Sequence, residues 1–129
     1  MNTKKQNYIK AYNNLIEAEK YDLANEIYVD GYIKRYELCF DLAIKVLKEY
    51  LINEGNKEDI FIGPKSVLNL AFEANVIDNK EIWDDMLKNR NNIFDIYAQG
   101  DVTALCKDIQ NKYVQELQKL KEFLDNKDF

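Results

Sequence analysis

Imidazole is missing from this chain: none of its 129 residues is histidine. That removes Ser-His and Cys-His dyads, histidine-ligated metal sites and any imidazole acid or base working near neutral pH. The two cysteines, Cys39 and Cys106, lie far apart with no partner at ligand spacing. Neither a disulfide framework nor a thiolate zinc site is expected, and both read as small buried apolar residues. The four glycines stand singly at 31, 55, 63 and 100, which leaves no phosphate-cradling loop. Guanidinium, carboxylate and phenol are what remain, and no metal or cofactor is expected. Eighteen basic residues against 23 acidic ones give a net charge of −5 at pH 7. This argues against non-specific coating of nucleic acid, though it is compatible with a local basic cleft.

Those groups must be carried by a single compact unit. An apolar fraction of 47% and a charged fraction of 32% suit a globular domain rather than a disordered tail, and the length suits one domain, residues 1–129. No apolar run exceeds three residues, so neither a bilayer span nor the apolar stretch of a signal peptide is expected. The expectation is a cytoplasmic protein with no membrane partner.

One proline and four glycines favour long helices over many short strands. Tyr8, Ile9, Tyr12, Leu15 and Ile16 recur at helical spacing and predict a first helix to about Glu19. Residues 21–30 read as a connection. The longest helix is predicted over 31–52, where Ile33, Tyr36, Phe40, Ala43, Ile44, Leu47 and Leu51 form one apolar stripe, widened by Leu38, Cys39, Leu42 and Val46. Gly63-Pro64 opens a short third helix, buried through Val67, Leu68, Ala71 and Phe72, with Asn75 as its end. Asp78 and Glu81 resemble a capping box starting a fourth, with apolar positions Ile82, Trp83, Met86, Leu87, Ile93 and Phe94. Gly100-Asp101 interrupts the chain, and helical periodicity then runs from Val102 to Leu124. The expected fold is all-α: an up-and-down antiparallel four-helix bundle with an additional short helix.

Charges on the long helix narrow the search. Lys34, Glu37, Asp41 and Lys45 form a face of i,i+3 and i,i+4 neighbours, within which Asp41–Lys45 is favourable and Glu37–Asp41 is a like-charge pair. Arg35 heads the otherwise apolar row Cys39, Leu42, Val46, where a charge is expected to have a partner on another helix or in a dimer cleft.

Two blocks carry a resemblance. Gly31-Tyr-Ile-Lys-Arg-Tyr-Glu-Leu-Cys-Phe-Asp-Leu-Ala-Ile-Lys45 is similar to the second helix of the nucleotidyltransferase substrate-binding proteins, which usually read Arg-Phe-Glu-x-x-Phe-Glu-Leu-x-Trp-Lys there. Trp83-x-x-Met86, continuing through Arg90-Asn91 to Tyr97, resembles that family's Trp-x-x-Met-x-x-x-Arg-Asn-x-x-x-His-x-Tyr segment. Gly63-Pro64 and Val76-Ile77-Asp78 also fall at the family's places, and the likeness spans roughly residues 28–120.

The resemblance implies a HEPN-type helical bundle, homodimeric, that binds a minimal nucleotidyltransferase and belongs to a toxin–antitoxin-like module. It also implies that Arg90, Asp95 and Tyr97 occupy the arginine, histidine and tyrosine positions of the Arg-x-x-x-x-His-x-Tyr motif. Active relatives of that motif are metal-independent ribonucleases, and its tyrosine is where the partner attaches AMP. Here aspartate replaces the histidine. A carboxylate ionises near pH 4 unless perturbed, so it places negative charge beside an incoming phosphate and is no general acid at neutral pH. The expected role is therefore a non-catalytic partner, with a binding cleft of Arg90, Asn91, Asp95, Tyr97, Arg35 and Glu37 for a nucleotide or RNA, and Tyr97 as acceptor. One alternative is a ribonuclease using Arg90 with Asp95, and another is a plain helical interaction module. In a regular helix Arg90 and Tyr97 lie within about 20° of each other while Asp95 lies about 140° from Arg90. All three then share a cleft only if the helix loosens near residues 93–98 or a second subunit completes the site.

Overall fold

The computed structural model describes residues 2–129, whose regular elements are all helical, with no strand among those residues. Six helices follow one another: α1 (Thr3–Ala18), α2 (Glu26–Asn53), α3 (Pro64–Glu73), α4 (Lys80–Asn91), α5 (Ile93–Gln99) and α6. The last runs from Val102–Asp108 through a π-helical turn, Ile109–Tyr113, into Val114–Asp125. A 3₁₀ turn at Glu58–Ile60 lies between α2 and α3.

The bundle forms around α2, as the width of its apolar stripe requires. Helix α1 packs along it, α3 and α4 cover its second flank, and α6 touches α1, α2 and α4. Ile33, Tyr36, Cys39, Phe40, Ala43, Val46, Leu47 and Leu51 are all buried from α2, and Trp83 and Met86 meet them from α4. Cys106 is buried beside them, so both thiols behave as core atoms. Two buried phenols tie helices together through main-chain carbonyls, which satisfies their hydroxyls away from water. Tyr8 donates from α1 to Leu117 of α6, and Tyr36 donates from α2 to the Met86 carbonyl of α4 at 2.8 Å. The π turn sets Tyr113 against Tyr36, ring centroids 5.6 Å apart and nearly parallel.

Local chemistry moves several boundaries. Helix α2 starts five residues before Gly31, because the Asn25 side chain accepts from the N–H groups of Ile27 and Tyr28 at 2.9 and 3.4 Å and so caps the helix there. Asn79, not Asp78, caps α4, accepting from Ile82 N–H. Asn75 ends α3 as expected. It takes the left-handed conformation (φ 61°), and the Val76 N–H reaches back to the Ala71 carbonyl at 2.9 Å.

The expected fourth helix is two. It is interrupted at Asn92 (φ −106°, ψ 14°), three residues before Asp95. That break re-aims α5: Phe94, expected inside, is 83% exposed. Phe72 and Leu38, also expected on buried stripes, are exposed too. Among the described residues, no helix is long and apolar enough to cross a membrane.

Candidate functional site

Helices α4 and α5 run antiparallel along one face of α2, and their polar residues meet it in register. Glu37 and Asp41 are i,i+4 neighbours, so both carboxylates project from one side of α2. Arg90, in the last turn of α4, is brought opposite them. Its Nε donates to Asp41 Oδ1 at 3.0 Å and a terminal nitrogen to Oδ2 at 2.9 Å, a two-pronged fit of planar fork to carboxylate. Its other terminal nitrogen lies 3.4 Å from Glu37. Hydrogen bonding to Asp41, partly opposed by desolvation, raises the Arg90 pKa further, so the guanidinium is charged at every ordinary pH. The like-charge Glu37–Asp41 pair is thus neutralised from another helix. Asp41 turns to Arg90 instead of to Lys45, and Lys34 supports Glu37 only from 4.0 Å.

Seven residues beyond Arg90, Tyr97 meets the same face of α2 at Asp30, seven residues before Glu37. Its hydroxyl donates to Asp30 Oδ1 at 2.7 Å, while the ring stays 41% exposed. Partial burial, and then the Asp30 carboxylate, push the phenol above the ordinary tyrosine range, so at neutral pH the hydroxyl is protonated and points its hydrogen at Asp30. A cavity of about 570 Å³ opens beside this pair, walled by Leu23, Val29 and Val102, with Glu26 at its edge.

The remaining residues of the expected cleft are not gathered here. Asp95 and Asn91 are exposed. Asp95 sits about 200° around α5 from Tyr97, so it faces away from the α2 row that Tyr97 joins. Arg35 lies on the α1 side of α2, where it donates to the Asn14 carbonyl at 2.7 Å. Its partner is a main-chain oxygen rather than an acid, and one chain does not bring it to Arg90. No three metal-ligating side chains cluster among the described residues, and the acids of this face are engaged with Arg90 and Tyr97.

A family model described as nucleotidyltransferase substrate binding protein like matches residues 3–126, which takes in all six helices. The chain belongs to that family. No curated protein matches it. The family's name implies a substrate-binding partner of a nucleotidyltransferase.

In this member of the family, two residues of the face escape sequence reading. Asp30 falls in a stretch read as connection, and Asp41 is read as a local partner of Lys45. A signal for Asp41 is present nonetheless: two acids one turn apart on a helix call for a cation from elsewhere, and the chain has only two arginines to offer. No such signal marks Asp30, because its value depends on where the break at Asn92 aims Tyr97.

Proposed function

We propose that this chain is the non-catalytic partner of a minimal nucleotidyltransferase in a toxin–antitoxin-like module, and that Tyr97 is the hydroxyl it offers for modification. The observation that carries this reading is the state of the two motif side chains. Arg90 is occupied by two carboxylates in a protein with no imidazole, whereas Tyr97 is half-exposed, hydrogen-bonded to a carboxylate and beside an open cavity. In the proposed step Tyr97 Oη attacks the α-phosphorus of ATP held by the enzyme. The new O–P bond forms as the bond to pyrophosphate breaks, and the phenolic proton passes to Asp30. A phenol that is protonated at neutral pH needs such a proton acceptor to react there.

Incubation with a minimal nucleotidyltransferase and ATP is expected to add the mass of one AMP, and Tyr97→Phe to abolish the gain. Asp30→Asn, which keeps the hydroxyl, is expected to slow it at least tenfold. Wild-type protein that gains no mass while still binding the enzyme removes the acceptor role. Cleavage of RNA by clean wild-type protein, lost in both Arg90→Ala and Asp95→Asn, supports the ribonuclease reading instead.

The same reading includes a homodimer. Leu38 is exposed at the centre of the α2 face that carries Lys34, Asp41 and Lys45. Two copies of α2 crossing antiparallel there set Lys34 against the second copy's Asp41, and Lys45 against its Asp30. Light scattering after gel filtration is expected to give twice the chain mass for the wild type and the single mass for Leu38→Arg. A wild-type monomer at 100 μM (roughly the concentration at which weak dimers persist) ends this part of the proposal.

A further inference from the structure

Of the chain's two arginines, Arg90 is held by two carboxylates, while Arg35 pairs with none among the described residues. The Asn14 carbonyl anchors one terminal nitrogen of Arg35, which fixes the side chain and leaves its other N–H donors available. Arg35 borders a cavity of about 280 Å³ with Tyr21, Tyr28, Ile27, Ala18 and Gly31. Tyr21 and Tyr28 form a tilted ring pair with centroids 5.1 Å apart, and both side chains are substantially exposed.

Gly31 is the second observation. It lies inside the first third of α2, where glycine is disfavoured by roughly 1 kcal/mol against alanine. Its backbone is helical, and a Cβ built on it meets nothing within 4 Å. Neither conformation nor packing requires glycine there. Tyr28, Gly31 and Arg35 are at i, i+3 and i+7, one stripe along α2, with the outer two about 10 Å apart along the axis. The glycine therefore leaves a bare notch between an aromatic ring and a guanidinium.

We propose that this notch binds a nucleotide, its base stacked on Tyr28, its sugar over Gly31 and its phosphate on the free donors of Arg35. An aromatic platform beside an arginine is how proteins hold single bases with their phosphates. The net charge of −5 disfavours tracking of a long polyanion, so the site suits one nucleotide, free or at the end of a strand. It lies on the side of α2 turned away from Arg90 and Tyr97 and needs no partner enzyme, so its test is independent of the acceptor reading.

Calorimetric titration of the whole chain with AMP, adenosine, inorganic phosphate and hexaadenylate RNA decides it. AMP is expected to bind, with adenosine and phosphate each at least tenfold weaker. Gly31→Leu, which fills the notch, and Arg35→Gln are each expected to weaken AMP at least tenfold. Gly31→Ala is expected to raise Tm by about 2–5 °C, because the fold does not need the glycine. Hexaadenylate no tighter than AMP assigns the site to a free nucleotide; tighter, salt-dependent binding assigns it to a strand end. Three results overturn the proposal: no binding of AMP or hexaadenylate at millimolar concentration, binding untouched by Gly31→Leu, or a Tm lowered by Gly31→Ala.

Discussion

Replacing Trp83 with alanine will lower the unfolding free energy by about 3–5 kcal/mol, the range for emptying a large aromatic site in a packed core. The side chain is 1% exposed and lies 6.2 Å, centroid to centroid, from Phe40 of α2. It comes from α4, so its removal loosens the one helix that holds Arg90 against α2. Domains of this size have only about 5–15 kcal/mol in total, so the variant will stand near the edge of folding. Urea unfolding followed by circular dichroism measures the change, since the substitution deletes the chain's single tryptophan and with it the fluorescence probe. The midpoint should fall with little change in slope. Phe94→Ala is the matching control: that ring is 83% exposed, and its loss should change stability by no more than about 0.5 kcal/mol. A Trp83→Ala loss below about 1 kcal/mol, or equal losses for the two variants, contradicts this core.

The contrast between Trp83 and Phe94 also marks where sequence reading stops. The periodicity of α2 identifies most of its buried face, because a long regular helix keeps its phase: Ile33, Tyr36, Phe40, Ala43, Leu47 and Leu51 are all inside, while Ile44 and Leu42 at the margin are partly buried and Leu38 is exposed. Phase is lost at Asn92. Nothing in Asn91-Asn92 forces an interruption as a proline would, so one helix is the natural expectation and Phe94 inherits the wrong face. Asn25 is a similar case, an ordinary polar residue whose capping role depends on the geometry that the α1–α2 connection adopts. The site follows the same rule. Arg90 and Tyr97 lie on one side of a helix by spacing alone, and the structure keeps them on one face of α2. Their partners Asp41 and Asp30 come from a different element, and packing between elements is not written in either one's periodicity. Asp95 stays exposed because the break fixes the direction of α5 by packing the partly buried Ile93 and Ile96 against the core, and that leaves the aspartate on the outer side.

The Arg90 clamp gives the second large effect, and it separates the readings of this family member. Arg90→Ala should cost about 1–2 kcal/mol. A forked, charge-assisted pair is worth more than a single surface contact, but the guanidinium is 31% and the Asp41 side chain 45% exposed, so solvent screening keeps the loss below that of a buried ion pair. The substitution also leaves Glu37 and Asp41 facing each other with only Lys34, at 4.0 Å, to offset them. Arg90→Lys should recover little, because an ammonium cannot bond both Asp41 oxygens and reach Glu37 at once. In a double-mutant cycle with Asp41→Asn the coupling should be about 0.5–2 kcal/mol, well above the additivity error for separated sites. A guanidinium kept free for a phosphate behaves otherwise. Its loss is neutral or stabilising, because an exposed arginine with no partner contributes nothing to the fold, and its coupling to Asp41 is near zero. Clean wild-type protein that cuts RNA, together with a fully stable Arg90→Ala that does not, returns Arg90 to catalysis. A destabilised Arg90→Ala with strong Asp41 coupling makes it the bolt that holds α4 to α2, and with it the angle at which α5 presents Tyr97 to Asp30.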